Sequence, residues 1–545
     1  MPKNIIIFSD GTGQVGGITF DEIRTNVYKL YRACRVAPDS SIDPAEQVAF
    51  YDPGLGSSAD GGRLHGTLSR RLYNLASRAT GLGITANIID CYAALIRLYR
   101  DEDRIFLIGF SRGAYTVRSL AAVIACCGIP RHLPGGGALP MDVKGSTNLA
   151  ETAVKSVYQF CSSYDRNEVG SYLRFMMDTR DKVARKFRDE HGCSNPADGN
   201  LANVYPYFIG VFDTVAALGH KGLGLLTVIV VLALPFLLSF LISLVSFADG
   251  FPYIGRFLQF LTFWNVFDVL GPATVLTGVY VYLKNYFKTA FGLPGYGFWK
   301  SIATIHFARG KHKFYDQTLN ANVGYAKHAI SIDENRADFK PVEWKPTASK
   351  AGRDSDKNLF FEQVHFPGVH ADVGGGYNDN ESRLSDIALK WMLAAASLVP
   401  NGLKHDPSVL RLHPDPSGSQ HDEQKGGFLR FGLRVIKNNK AIMHKSVYRR
   451  FEAGPVVLFD RIGPYRPSPM RSHVDFVQYF DPKVTDPKPA DPETSQVADD
   501  IEYKWERKRA AETAAAMAAN AGRAPSAADG SHQADSAKDL ADGLS

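Results

Sequence analysis

Residues 104–129 read RIFLIGFSRGAYTVRSLAAVIACCGI, and the reading of this stretch decides the fold. Residues 105–108 are an apolar run short enough for a buried strand. Gly109-Phe110-Ser111-Arg112-Gly113 follows. Then Ala114, Val117, Leu120, Ala121 and Ile124 recur at helical spacing until Gly128 and Pro130 end the run. Strand, G-x-S-x-G and helix in that order form a nucleophile elbow. Its turn is so tight that only glycine fits on either side of the serine, whose oxygen is pushed out above the sheet edge. The helix aims its positive end at the same spot, where an oxyanion forms. The five letters alone recur by chance. The flanking strand and helix favour a nucleophilic Ser111 over a glycine-lined turn that merely packs a helix on a sheet.

Outward from the elbow, the pattern is α/β. Residues 4–8 read as a first buried strand, followed by the loop Ser9-Asp10-Gly11-Thr12-Gly13. A D-x-D-G-T phosphatase start is excluded because Phe8 stands two before Asp10. The loop suits the second half of an oxyanion hole, with the N–H of Gly11 or Thr12 joining that of Arg112. Asp10 orients the loop or the substrate, or simply caps a turn. Residues 25–35 and 81–100 read as helices and residues 48–51 as a strand. Strands alternating with helices predict a mostly parallel sheet covered on both faces. Residues 131–200 break the rhythm and are expected as a helical cap insertion.

Residues 204–212 form another apolar run, ending at Asp213. A carboxylate at a strand end, after the serine, fits the Ser…Asp…His order of α/β hydrolases; the alternative is a helix cap. His370 stands in the glycine-rich loop PGVHADVGGGY (367–377) after the run FFEQVHF (360–366), well placed to reach a serine. His365 lies inside that run and is less suited. Asp372 orients His370 or binds a cation. His444, beside Ser446, is the fallback histidine. Residues 301–308 and 329–332 read as core pieces and 384–396 as a helix.

The sharpest change of composition lies at residues 222–248, GLGLLTVIVVLALPFLLSFLISLVSFA, which carry no charge and are long enough to cross a hydrocarbon core of about 30 Å. A second apolar stretch, 257–283, carries one acid, Asp268, and many aromatics. Lys221 precedes the pair and Lys284 and Lys288 follow it, while Arg256 alone lies between. This predicts a membrane hairpin with both ends cytoplasmic. The expected organisation is a core at 1–220, the hairpin at 221–290, a second core part at 291–480, and a polar linker, charged helix and disordered tail at 481–545.

The 45% apolar and 22% charged residues of the 545 are ordinary for a globular protein. A net charge of +6, without a long basic stripe interleaved with aromatics, argues against nucleic-acid binding. The six cysteines show no metal spacing, so neither metal nor cofactor is expected; Cys126 and Cys127 suit small core positions in a reducing compartment. The opening MPKNIIIFSDGTG does not read as a signal peptide, which predicts a cytoplasmic start.

These motifs together resemble one family. IIIFSDGTG, RTNVYKLYRA, YDPGLG, GFSRGAYTVRSLA, GVFDTVAALG, HFPGVHADVGGGY and LSDIALKWM are similar to the uncharacterised α/β-hydrolase domain shared by bacterial hypothetical proteins and the phospholipase effectors of type VI secretion. The resemblance implies a lipid hydrolase with Ser111 as nucleophile, Asp213 as acid and His370 as base. It implies a membrane lipid substrate and leaves the protein partner open. With the apolar insert, the expectation is an enzyme at the bacterial inner membrane with its catalytic part in the cytoplasm, export remaining open. The rivals are a catalytically silent membrane scaffold and a membrane-anchored esterase or thioesterase for a soluble substrate.

Overall fold

The computed structural model describes residues 2–11, 23–54, 82–161, 170–215, 233, 235–237, 239–241, 263–308, 318–336, 339, 341–345, 348–423, 436, 438–485, 487–488 and 495–521. Six strands make the central sheet: β1 (Asn4–Ser9), β2 (Gln47–Asp52), β3 (Arg104–Phe110), β4 (Phe208–Phe212), β5 (Tyr325–Ser331) and β6 (Phe361–Phe366). Their spatial order is β2-β1-β3-β4-β5-β6, and every neighbouring pair is parallel. The chain runs from β1 to one edge and returns past it to β3. The order therefore reverses between β1 and β3, and α/β sheets bind ligands at the strand ends beside such a reversal.

β1, β3 and β4 are almost wholly apolar because both faces are covered, while β5 and β6 bury the Lys327–Glu362 ion pair between them. Ile5, Ile7, Ile105, Leu107, Ile209 and Val211 share one core cluster with helices α2 (Leu82–Leu98) and α3 (Arg112–Cys127). The alternate residues face the other way. There Phe8 meets Tyr31 of α1 (Asn26–Cys34), and Phe366 meets Trp391 of α8 (Arg383–Leu398). The parallel sheet and the helices on both faces thus agree with the expectation.

The stretch after α3 holds α4 (Val143–Glu151) and α5 (Ser171–His191). Leu149, Ala150, Val154, Ala184 and Phe187 belong to the same cluster as α2 and α3, so the insertion is built into the core on that face. Behind β6, α9 (Lys445–Glu452) gathers a second small core of Met443, Val447, Phe451, Tyr465 and Phe476. As a separate unit, residues 499–545 contribute one described helix, α10 (Ile501–Ala521).

Most of the first apolar segment, 222–248, lies outside the described residues. The second forms α6 (Phe263–Tyr286), long and apolar enough between Trp264 and Lys284 to cross a membrane, with only 6% of its most apolar window buried. Phe236 of the first segment packs on Phe267 of α6, ring centroids 4.4 Å apart. One expectation needs correction: residues 301–308 are not a plain core piece. Ser301, Thr304 and His306 face inward, but Ile302, Ile305 and Phe307 are exposed. Apolar composition marks burial only when the partner is protein, and among the described residues these three side chains stay exposed.

Candidate active site

Ser111 follows β3 with φ 58° and ψ −118°, a strained backbone for a residue carrying a Cβ. Its N–H is tied to the Phe212 carbonyl at 3.1 Å. A Cβ on Gly109 would stand 2.5 Å from the Gly113 carbonyl oxygen, and one on Gly113 would stand 2.0 Å from the Ser9 carbonyl oxygen. Gly109 is therefore required by the tightness of the turn into α3, and Gly113 by the contact of α3 with β1. Arg112 opens α3, where first-turn N–H groups lack helical acceptors.

Asp213 follows β4, the strand next to β3, and is fully buried with φ 37°. Its Oδ1 accepts the Ser331 N–H at 3.0 Å, and its Oδ2 accepts the Ser331 hydroxyl at 3.2 Å. The same Oδ2 lies 2.5 Å from Nδ1 of His370. His370 opens the short helix α7 (His370–Gly374) beyond β6. With Nδ1–H directed to Asp213, the neutral ring carries its lone pair on Nε2. Nε2 is buried and makes no hydrogen bond to any described group. The ring is held by Phe110 and Phe339, centroids 4.6 and 5.1 Å away. A Cβ on Gly374 would lie 1.9 Å from the Phe110 ring, so this loop glycine lets α7 close down on the residue preceding Ser111.

The loop after β1 flanks the serine: a Cβ placed on Gly11 would be 3.7 Å from the Ser111 Cβ. Its N–H, however, donates to Asp10 Oδ1 at 2.7 Å, so it is not aimed at an oxyanion in this arrangement. Thr12 lies outside the described residues. Asp10 also accepts the hydroxyls of Thr25 at 2.6 Å and Tyr51 at 2.7 Å, which fixes the loop to the RTN and YDPGLG motifs. Burial pushes its carboxyl up to about 6, against the pull of these donors.

The two remaining sequence candidates have other work. Asp372 turns away from His370. It accepts the Nδ1–H of His421 at 2.7 Å and the N–H groups of His421 and Val369, both at 3.1 Å. Burial lowers the His421 pKa, but Asp372 outweighs it and raises the group above its ordinary value. His444 caps α9, accepting the Ser446 N–H, and stacks on Phe366 at 4.7 Å. His365 stays in β6 as expected, its Nδ1 3.3 Å from the Ile442 carbonyl. No group of His, Cys, Asp or Glu fit to hold a metal occurs among the described residues.

With this geometry in hand, comparison with known proteins is decisive at the family level. Residues 3–231 and 283–395 match the family described as type VI secretion phospholipase effector, Tle1-like, catalytic domain. The chain belongs to this family. Most of α6 falls in the gap of the match, whereas Ser111, Asp213 and His370 all lie inside it. The Tle1-like chain is also 24% identical over 439 residues to an uncharacterised protein of Saccharomyces cerevisiae, covering 75% of this chain and 58% of that one. Among solved structures, an uncharacterised protein from Pseudomonas aeruginosa shares 16% identity over 75% of this chain and 48% of its own, with a TM-score of 0.29. The Tle1 effector bound to the VgrG spike shares 14% over 70% and 52%, with a TM-score of 0.26. The chain thus spans about half the length of these proteins.

Several supports of this Tle1-like site carry no motif of their own. Glu334, just past β5, accepts the His370 backbone N–H at 3.1 Å. It also grips Arg336 through Nε at 2.7 Å and Nη2 at 2.9 Å. Burial alone would raise the Glu334 carboxyl, but Arg336 holds it below the ordinary carboxylate range. Arg336 in turn covers the Phe339 ring at 3.6 Å, which backs His370. Ser331 and Glu334 both follow from one sequence signal not used above: small polar and charged residues at the end of a buried strand. His328 is a buried neutral spacer under Asp213. Burial drives its pKa down to about 3, and its Nε2 accepts the Thr214 N–H at 3.3 Å.

Proposed function

We propose that this protein is a serine phospholipase that works against a bilayer, cleaving a carboxylic ester of a membrane lipid through an acyl-enzyme. Ser111 attacks the ester carbonyl while His370 Nε2 takes its proton. Asp213 holds Nδ1–H and stabilises the imidazolium. The Arg112 N–H, with a second donor from Thr12 in the loop after β1, binds the tetrahedral oxyanion. Collapse breaks the ester C–O bond, and the leaving alcohol receives the proton from His370. Water, deprotonated by the same nitrogen, then releases the fatty acid and restores Ser111.

One observation carries this reading: a buried histidine, bonded through Nδ1 to a buried aspartate, makes no Nε2 hydrogen bond to a described group, and its ring packs on Phe110, the residue before the elbow serine. Structural histidines satisfy both nitrogens, as His473 does by donating Nε2–H to the Ala441 carbonyl and accepting the Asp475 N–H on Nδ1. Membership of a phospholipase effector family supports a lipid over a soluble ester. The apolar segments at 222–248 and α6 would hold the enzyme in the bacterial inner membrane, with Lys221, Lys284 and Lys288 keeping both ends and the catalytic part on the cytoplasmic side.

The test is labelling of Ser111 by a fluorophosphonate in a membrane fraction, together with fatty-acid release from phospholipid vesicles. Ser111→Ala is expected to lose both, with turnover down by roughly four to six orders of magnitude. Full turnover in that variant, or an unlabelled and inactive wild type, would refute the proposal.

A further inference from the structure

The region just after α6 has an inner and an outer face of opposite character. Phe287–Lys288 pairs antiparallel with His306–Phe307, and a short helical turn, Phe298–Ile302, lies between them. The inner face is fixed to the protein body. Ala290 and Leu293 pack with Phe160, Cys161 and Met176. Thr304 Oγ1 accepts the Ala290 N–H at 2.9 Å, and the His306 ring bridges the Thr304 and Phe160 carbonyls. Tyr296 Oη lies 2.9 Å from the Thr179 hydroxyl of α5. This is a built platform rather than a loose loop.

The outer face is aromatic and exposed. Phe287, Phe291, Phe298, Trp299, Ile305 and Phe307 are all exposed, Trp299 to 79% and Phe298 to 66%. Soluble surfaces scatter single apolar residues; a contiguous patch of this kind marks an interaction site. Its position names the partner. The patch continues directly from the C-terminal end of α6, where Tyr282 stacks on Phe307 at 5.8 Å. From residue 269 to 307 the sequence has no Asp or Glu but contains the exposed Lys284 and Lys300, while Lys288 is buried on the inner face. Trp, Phe and Tyr beside lysines, with no acid, is the composition of the membrane–water interface, where rings sit at headgroup depth and ammonium groups meet phosphates.

We propose that residues 287–307 form an interfacial platform that lies on a phospholipid bilayer at headgroup depth, with Phe298 and Trp299 inserted. The proposal rests on the membrane reading above but concerns a different surface, which the sequence patterning assigned partly to the core. Its function is to set the height and tilt of the catalytic body over the lipid, because the platform is rigidly joined to α5 and through it to α3.

The experiment uses the full chain with vesicles of phosphatidylcholine and phosphatidylglycerol. Lipids carry a nitroxide either near the headgroup or deep in the acyl chain. Trp264→Phe removes the indole of α6, and subtracting the signal of the Trp264→Phe/Trp299→Phe double variant isolates Trp299. The expected result is that the protein sediments with the vesicles and that the shallow nitroxide roughly halves the Trp299 signal while the deep one has little effect. Sedimentation without quenching of Trp299 by either probe would overturn the platform and leave the membrane reading standing; a protein or second-copy contact over Trp299 would produce that outcome. Stronger quenching by the deep probe would overturn headgroup depth. Failure of the wild type to sediment would overturn the platform and the membrane reading together.

Discussion

Replacing Asp213 by Asn tests the proposed chemistry at the atom where it is most exposed to error. Asp213 accepts three hydrogens: Ser331 N–H on Oδ1, and the Ser331 hydroxyl and His370 Nδ1–H on Oδ2. An amide cannot present its NH2 to the Ser331 N–H, so its oxygen must stay there. The NH2 then faces His370 and donates to Nδ1. That forces the ring proton onto Nε2, the nitrogen that must accept the proton of Ser111. The base is lost while packing is kept, since the Ser331 hydroxyl can reverse its role and the fold should lose no more than about 1 kcal/mol. In serine hydrolases this change of tautomer costs about 10⁴-fold in kcat, equivalent to ~5.5 kcal/mol of transition-state stabilisation at ~1.36 kcal/mol per decade. Two measurements check it: fatty-acid release from phospholipid vesicles, and the rate of Ser111 labelling by a fluorophosphonate. Both are expected to collapse with an unchanged thermal midpoint. A loss of less than about tenfold in a folded variant would refute the assignment of Asp213 and His370 as the working pair.

Two further predictions are independent of it. His444→Ala removes a helix cap and a ring stacked on Phe366, so it should cost roughly 1–3 kcal/mol in denaturant unfolding and leave turnover within about twofold; a collapse of kcat at wild-type stability would return His444 to the catalytic machinery. Asp10 and Asp333 are buried carboxyls, each raised by desolvation from an ordinary 3.8 to about 6. Between those values the folded state binds more protons than the unfolded one, so each group makes stability fall as pH rises from about 4 to 6, by on the order of 3 kcal/mol. Asp10→Asn should flatten that slope, and an unchanged profile of unfolding free energy against pH would contradict the burial argument.

The elbow was legible because its determinants are local. A short apolar run, two glycines around a serine and a helical period all lie within residues 104–129, and the structure returns them as β3, the strained Ser111 and α3. Asp213 and His370 were legible as acid and base in hydrolase order, but the Ser331 N–H and hydroxyl that also hold Asp213 were not. Other readings failed where the partner is distant in sequence. Asp372 sits two residues from His370 but bonds His421, because α7 turns its third residue away from the ring that its first residue presents. Glu334 was marked only as a charged residue past a strand end until β5 and β6 lay side by side and brought it under the His370 N–H. The Gly11 N–H was the natural oxyanion donor in the sequence, yet Asp10, itself anchored by Thr25 and Tyr51, captures it.

By itself, then, the sequence determined the strands, the helices, the elbow and the apolar stretch that became α6. All of these follow from backbone periodicity and from glycine's lack of a Cβ, which neighbouring residues suffice to specify. Tertiary structure decided which titratable groups meet. The strand order β2-β1-β3-β4-β5-β6 gathers residues 10, 111, 213, 331 and 370 at one sheet edge, and no local pattern encodes that order. It also decided which face of residues 287–307 is exposed. Hydrophobicity states only that a side chain leaves water, and the packing of His306, Ala290 and Leu293 against the body is what leaves Phe298 and Trp299 on the outside.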